Sequence, residues 1–193
     1  MQSVNQGLVS SSVNLEIAFN NPCFADVTLK AGTDEFLAHK IILMSRSKVF
    51  AQMFSSDMKE SKENVVDMSD MKASTVKVML RYIYTGTTGP LTTDRAIDLY
   101  SASDRYDIPK LKESCKAVIL KTINVESICD VAILAYLHSD EELEQTAKRV
   151  LKENLKKVLK TQKWRKFAKE NPDLYSEMLE SVVLDESDDN ADA

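Results

Sequence analysis

The chain is poor in the residues on which enzyme chemistry most often relies. Its 193 residues include four glycines, four prolines, two histidines and one tryptophan. Four scattered glycines cannot form a loop that cradles a phosphate, and no nucleophile elbow is present. His39 and His138 are far apart in the sequence and have no recognisable nucleophile beside them. The sequence therefore predicts no catalytic residue, no cofactor and no enzyme activity.

Cysteine is equally sparse. Cys23, Cys115 and Cys129 form no CxxC pair and do not have the spacing of a zinc ligand set. Three isolated cysteines indicate reduced thiols rather than a disulfide framework or a metal site. The N-terminus shows no secretory signal. We therefore expect an intracellular protein, in the nucleus, the cytoplasm or both.

Long apolar runs are also missing. The longest candidate, residues 131–137, is far shorter than the roughly 18 residues of a membrane-spanning helix. Hydrophobic residues nevertheless make up 44% of the chain, which is enough for a packed core. The sequence predicts a folded protein without a membrane partner.

Positive charge is absent from the C-terminal segment. Five carboxylates and no base occur in residues 185–193, and the whole chain carries a net charge of −5. Removing these five from the 30 acids leaves 25, which balances the 25 lysines and arginines. We expect residues 185–193 to be a disordered acidic tail.

Hydrophobic periodicity predicts an α+β core in the first half of the chain. Residues 24–29 and 35–38 have strand character and flank turn-forming residues at 31–34, which indicates a hairpin. Apolar residues then recur at helical spacing, and Ser45 and Ser47 indicate a joint between two short helices. Residues 65–68 predict a third short strand. A hairpin that leads into a helical pair must bury one face against those helices.

The second half predicts helices throughout. A helix ends at Gly86, Pro109 suits a first turn, and Asn124 is a candidate cap for a helix over residues 125–138. Ser139 and Glu142 read as a capping box that starts the next helix. A last helical pair reaches residue 184, interrupted at Pro172.

The order and spacing of several motifs resemble those of the BTB/POZ interaction domain. The motifs are Phe24-x-Asp26-Val27, Phe36-x-Ala38-His39-Lys40-x-x-Leu43, Ser45-x-Ser47-x-x-Phe50, Met53-Phe54 and Val76-x-x-Met79-Leu80-x-Tyr82-Ile83-Tyr84-Thr85-Gly86. The resemblance implies a BTB/POZ domain over residues 19–121, a short mixed sheet flanked by helices. Residues 1–18 would then be a flexible segment with a candidate dimer helix.

The helices after the domain resemble a BACK region, also called a three-box. Residues 124–139 are similar to those of the speckle-type POZ and TD-and-POZ proteins, which implies a helical extension over residues 122–184. Speckle-type relatives carry a substrate-binding MATH domain before the BTB domain, and only about twenty residues precede the resemblance here. A fragment, a paralogue without that domain, and a module that recruits targets differently all remain open.

The resemblance implies dimerisation through the start of the domain. It assigns Leu15, Phe19 and Ile42 to a dimer interface, and Asp26 and Lys40 to a charged pair near the dimer groove. The residues before Pro22 fit either a short helix or an edge strand exchanged between subunits, and the helix is favoured. Packing of this segment on its own chain is the alternative to a dimer contact. His39 is expected to be a hydrogen-bonded structural residue.

The resemblance also implies a contact with cullin-3. Met58-Lys59-Glu60 matches the hydrophobic-x-Glu element of cullin-binding relatives, and Phe54 would support it. An apolar knob can enter a pocket while a neighbouring carboxylate fixes the register at its rim. The alternative is an incidental methionine in a polar, flexible loop over residues 55–64.

Together these features predict a dimeric adaptor of a cullin-3 RING ubiquitin ligase that promotes ubiquitination and proteasomal degradation of bound targets. It would pair with itself or with a related BTB protein. The alternative is a transcriptional regulator or scaffold that acts through a corepressor or self-association without cullin. Lysines that recur along residues 148–163 could bind nucleic acid, an anionic membrane or an acidic groove, but a solvated helix face is commoner and no zinc finger is present. The acidic tail folding back on these lysines is a further hypothesis.

Overall fold

The structure, a computed structural model, describes residues 15–21 and 23–188. Side chains are described for these residues except residue 20 and residues 183–188. Contacts within the chain divide it into two compact units that meet between Gly89 and Pro90. The predicted boundary between residues 121 and 122 comes from the family resemblance and not from contacts within the chain. It remains a prediction.

A three-stranded mixed sheet lies in the first unit. Strand β1 (Val27–Ala31) pairs antiparallel with β2 (Asp34–Ala38), and β3 (Val65–Asp67) pairs parallel on the other side of β1. Gly32 sits in the tight turn with a φ of +62°, which glycine adopts without steric cost. The predicted hairpin and third strand are confirmed.

Five helices complete the described part of the first unit. They are α1 (Glu16–Asn20), α2 (Lys40–Arg46), α3 (Lys48–Ser55), α4 (Lys59–Glu63) and α5 (Ala73–Thr85). The predicted joint lies at Ser47, whose extended backbone separates α2 from α3 and whose hydroxyl accepts a hydrogen bond from the Phe50 N–H. Gly86 ends α5 in the left-handed conformation, as its position predicts.

Two further segments of the first unit are helical. The short element before Pro22 is helical over α1, which confirms the favoured helix over the edge strand. The polar connection of residues 55–64 is partly helical. It forms the helical turn α4, which ends at Asn64 in the left-handed conformation that asparagine tolerates.

The core of the first unit lies between the sheet and the helices. Its largest fully buried side chains come from β1, α2, α3, α5 and the residue after β3, namely Leu29, Leu43, Phe50, Met68, Met79, Ile83 and Tyr84. Burial of a side chain of this size stabilises a fold by about 1.5–3 kcal/mol. This core fixes the orientation of α2, α3 and α5.

The second unit is helical throughout the described residues. Its helices are α6 (Thr93–Arg105), α7 (Pro109–Thr122), α8 (Ile128–His138), α9 (Glu141–Val158), α10 (Gln162–Glu170) and α11 (Pro172–Asp188). Helix α8 is buried on most faces, as its sequence predicts. No helix in the described part of the chain is both long enough and apolar enough to cross a membrane.

Both predicted caps around α8 are displaced. The helix begins at Ile128 rather than Val125, because the Asn124 side chain accepts hydrogen bonds from the backbone of Glu126 and Ser127 and holds a turn there. Ser139 does not cap α9. It ends α8 in the left-handed conformation, and Asp140 caps α9 by accepting from the Leu143 N–H.

The C-terminal helices agree with the predicted pair and extend further. Trp164, Phe167 and Tyr175 bring their rings together at 5.2–6.4 Å between α10 and α11. Helix α11 continues to Asp188, four residues into the segment predicted to be a disordered tail. Residues 189–193 of that prediction, and residues 1–14 of the predicted flexible N-terminus, lie outside the described residues.

Candidate interaction surfaces

Besides Met58, four large apolar side chains among the described residues of the first unit face solvent. Ile17 is 86% exposed, Phe24 92%, Leu37 58% and Ile41 73%. Leu37 lies on β2, which is an edge of the described sheet. Phe24 has a φ of +64°, which is rare for a residue with a side chain and strains the backbone. Scattered apolar residues are ordinary on a surface, but four between residues 17 and 41 of the sequence favour a contact area.

The predicted dimer residues lie beside these side chains and are less exposed. Leu15 and Phe19 are half-buried, and both contact Tyr84. The Leu15 N–H donates to the Tyr84 carbonyl at 3.1 Å, and the Phe19 ring lies 5.7 Å from the Tyr84 ring. Ile42 is also half-buried. The sequence prediction missed the outward-facing Ile17 and Ile41, although both appear in the same apolar runs.

His39 connects three parts of this region. Its Nε2 lies 2.9 Å from the Cys23 carbonyl, and its Nδ1 lies 2.8 Å from the Tyr84 hydroxyl. A carbonyl only accepts, so Nε2 carries a proton and donates it; in the neutral ring Nδ1 then accepts from Tyr84. These bonds tether the turn that presents Phe24 to helix α5. Burial raises the pKa of Tyr84, which keeps its hydroxyl protonated as a donor.

Asp26 and Lys40 are adjacent, but the backbone of Lys40 makes the contact. The Asp26 carboxylate accepts from the Lys40 N–H at 2.7 Å, while Lys40 Nζ donates to Asn64 Oδ1 at 2.5 Å. The carboxylate thus stabilises the first turn of α2, where the helix dipole favours a negative charge. Their predicted place near a dimer groove remains a prediction.

Met58 stands at a shallow groove on α3. It is 47% exposed and precedes α4 directly. The groove has a volume of about 310 Å³ and is lined by Lys48, Val49, Gln52, Met53 and Met58. Methionine side chains are flexible and polarizable, so a groove with two of them can adapt to an apolar partner.

Phe54 and Glu60 flank Met58 in different ways. Phe54 is half-buried, stacks on Phe50 with ring centroids 5.9 Å apart, and has Lys40 Nζ 5.3 Å from its ring centre. Glu60 is half-buried in the first turn of α4. The Phe54 ring is therefore held by Phe50 and Lys40, while Met58 is the most exposed of the three residues.

In the second unit the side chain of His138 lies between those of Ser101 and Asp104, an arrangement that resembles a hydrolytic triad. His138 Nδ1 lies 3.0 Å from Asp104 Oδ2, and its Nε2 lies 3.5 Å from Ser101 Oγ. Ser101 is in the interior of α6, where backbone N–H groups bond to carbonyls four residues earlier and cannot form an oxyanion hole. Lys112 also binds Asp104, at 2.5 Å. This cluster joins helices and has no arrangement for catalysis.

Asp140 is the centre of a second polar cluster. It accepts from the Tyr100 hydroxyl at 2.7 Å and from Lys116 Nζ at 2.6 Å, besides capping α9. Burial opposes ionisation of this carboxyl, but the three hydrogen bonds outweigh it and lower its pKa. Within the described residues no group of three or more potential ligands is placed to hold a metal ion.

A short mixed sheet with surrounding helices, an exposed apolar region and a methionine-lined groove define a protein-interaction module. The sequence model of the BTB/POZ domain matches residues 15–123, more than half of the chain, and the chain belongs to that family. This match confirms the resemblance and the α+β fold expected from the motifs.

Two curated proteins are similar over most of this chain. BTB and MATH domain-containing protein 42 of Caenorhabditis elegans is 31% identical over 86% of the chain, and TD and POZ domain-containing protein 4 of Mus musculus is 34% identical over 86%. The chain spans only 41% and 45% of these two relatives. The shared part is therefore the BTB/POZ domain and the helices that follow it.

Proposed function

We propose that this protein is a dimeric adaptor that joins cullin-3, the scaffold of a RING ubiquitin ligase, to proteins marked for proteasomal degradation. The observation that carries the proposal is the exposure of Met58 beside the groove on α3. This is the position at which the family resemblance puts the hydrophobic-x-Glu element. The BTB/POZ fold supports a non-enzymatic interaction role.

Each residue of the element has a distinct role in this proposal. Met58 enters an apolar pocket of cullin-3, and Glu60 pairs with a polar or basic group at the rim. Phe54 holds the segment in place through its stack on Phe50. Buried apolar anchors dominate the free energy of binding, while rim charges mainly set register and association rate.

Self-association is the second part of the proposal. Leu15, Phe19 and Ile42 form the inner part of the dimer interface, and Ile17 and Ile41 are added to it here because they are exposed. A homodimer, or a pair with a related BTB protein, carries two cullin sites and two target sites. Linked sites raise the effective concentration of a target next to the ligase, so no bond-breaking step by this protein is needed.

The setting of this activity is also a proposal. Residues 122–184 act as a BACK-like extension of the cullin-binding surface, and the protein works in the nucleus, the cytoplasm or both. Similarity to a MATH-containing relative and to a TD and POZ relative supports this class of adaptor.

Cullin-3 affinity measured by calorimetry tests the proposal. We expect Met58→Asp to weaken binding by about 2 kcal/mol, as loss of an interface anchor does. Lys77→Asp is the control, since Lys77 is exposed on α5 and lies outside both the Met58 element and residues 122–184. Circular dichroism verifies that both variants fold. Equal affinity of wild type and Met58→Asp would remove the cullin assignment and favour a BTB scaffold or transcriptional regulator that recruits a corepressor.

A further inference from the structure

The segment from the end of α9 through α10 exposes a concentration of positive charge in a chain whose net charge is negative. Between residues 152 and 169 there are eight lysines and arginines and one acid, Glu153. Five of these bases are exposed and pair with no carboxylate among the described side chains: Lys156, Lys157, Lys160, Arg165 and Lys169. We call these five residues the basic patch.

Neighbouring bases on α9 and α10 are paired with carboxylates, which sets the patch apart. Lys148 pairs with Glu144 and Glu177, and Lys163 pairs with Asp130 at 2.6 Å. These pairs join α9 and α10 to neighbouring helices and have a structural role. The bases of the basic patch have no such role in the described part of the chain, so they remain available to a ligand.

An apolar residue lies within the basic patch. Leu159 directly follows α9 and is 42% exposed, with Lys156, Lys157 and Lys160 close to it in the chain. Helix α10 presents Arg165 and Lys169 on its exposed side, while Trp164 and Phe167 on the other side are buried. Residues 156–169 therefore offer the five exposed cations of the basic patch and one exposed apolar side chain.

We propose that the basic patch binds an acidic peptide segment of another protein, with an apolar side chain of that segment against Leu159. As a site for degradation targets this rests on the adaptor function proposed above; as a peptide-binding surface it does not. Charge complementarity selects an anionic partner. Helix α10 is about 13 Å long, at 1.5 Å per residue for nine residues, which suits a few extended residues.

The surrounding charge favours a peptide over nucleic acid. Glu153, paired with Arg149, and Glu170, paired with Lys166, border the patch, and the whole chain carries −5. A duplex or an anionic membrane presents a broad field of negative charge and would meet these carboxylates. A short peptide can contact the cations alone. An exposed leucine also favours a peptide that offers a matching apolar side chain.

Fluorescence anisotropy with the full chain tests the proposal. The probe is a labelled dodecapeptide of glutamates around two central leucines, with a glutamine version as its control. We expect binding of the acidic probe that weakens as salt shortens the range of electrostatic attraction. The triple variant Lys156→Glu, Lys160→Glu, Arg165→Glu should lose about tenfold or more in affinity, since each change replaces attraction with repulsion.

A matched triple variant separates the effect of charge in the basic patch from the effect of the net charge of the chain. Lys77→Glu, Lys110→Glu, Lys121→Glu changes the net charge equally at exposed lysines outside the patch and should bind the probe as the wild type does. Leu159→Ser should weaken the leucine-containing probe more than an all-glutamate probe. Equal loss in both triple variants, or tighter binding of duplex DNA or phosphatidylserine vesicles than of the peptide, would overturn the proposal.

Cullin-3 binding distinguishes failure here from failure of the adaptor function. Met58→Asp should weaken cullin-3 binding and retain peptide binding, because Met58 lies outside the basic patch. Loss of cullin-3 binding in the Met58 variant together with no peptide binding in any variant would reject the basic patch alone. Peptide binding with no cullin-3 binding in the wild type would reject the adaptor function alone.

Discussion

The Tyr84 hydroxyl contacts His39 twice, at 2.9 Å from its backbone nitrogen and 2.8 Å from its Nδ1. One oxygen on α5 thus fixes both the backbone and the ring of the residue that precedes α2. The ring in turn holds the Cys23 carbonyl and the turn that exposes Phe24. A single hydroxyl therefore couples the core of the first unit to its exposed apolar region.

Removing this hydroxyl should destabilise the first unit. We expect Tyr84→Phe to lower the free energy of unfolding by about 1–3 kcal/mol, because the His39 N–H and Nδ1 both lose their partner in a partly buried place. Urea denaturation measures the change. Tyr136→Phe, at a tyrosine that is 65% exposed, should have almost no effect; an equal loss in both variants would contradict this account of the hydroxyl.

Charge in the exposed apolar region should prevent self-association. We expect Ile17→Asp combined with Ile41→Asp to convert a dimer into a monomer, because a carboxylate buried without a partner is costly at an interface. Light scattering after size exclusion measures the mass. Leu137→Asp should leave the dimer intact. A wild-type chain that is monomeric at high concentration would remove the dimer from the proposed function.

Asp140 should make the free energy of unfolding depend on pH. Its pKa in the folded protein is lowered, so its stabilising contribution is present above the ordinary pKa near 3.8 and is lost as the pH falls through the folded value. We expect the wild type to lose more stability than Asp140→Asn between pH 7 and pH 3. At pH 7 the variant should be less stable by about 2 kcal/mol, since it weakens charged hydrogen bonds.

The pH experiment has an internal reference. Asp104 also has a lowered pKa, chiefly through its hydrogen bond with Lys112. Some acid dependence should therefore survive in Asp140→Asn and should diminish further when Asp104→Asn is added. Chemical denaturation at each pH, followed by circular dichroism, gives the values. Identical pH profiles for wild type and Asp140→Asn would refute the assigned role of Asp140.

The three thiols should react at very different rates. Cys23 is exposed, while burial raises the pKa of Cys115 to about 12 and that of Cys129 to about 11. Because the thiolate is the reactive form, iodoacetamide at pH 8 should modify Cys23 first and the buried pair only on unfolding. Mass spectrometry counts the adducts. Cys23→Ser should abolish the fast reaction, and a fast adduct in that variant would contradict the buried positions.

Elements with strong local patterns could be predicted from the sequence. The hairpin followed from strand residues on both sides of Gly32, and the end of α5 followed from Gly86. The helical joint at Ser47 followed from a side chain that caps well. In each case the residue that decides the structure acts on its own neighbours, so no knowledge of distant contacts is required.

Choices between adjacent residues could not be made in the same way. Ser139 and Asp140 are both good helix caps, and the decision depends on the left-handed backbone of Ser139 and on Tyr100 and Lys116, which bind Asp140 from other helices. Ile41 and Ile42 likewise have the same chemistry. Which one faces solvent depends on how Leu43 enters the core, a tertiary effect that the sequence pattern does not reveal.

The parallel pairing of β3 with β1 has a consequence for how the first unit is made. Strands β1 and β2 are neighbours in sequence and can meet early, whereas β3 arrives only after residues 39–64 have been synthesised. Closing such a distant pair is entropically slow, so the sheet should be completed late in folding. Helices α2, α3 and α4 lie between β2 and β3 in the sequence. The Met58 segment should therefore acquire its final position only when β3 pairs with β1.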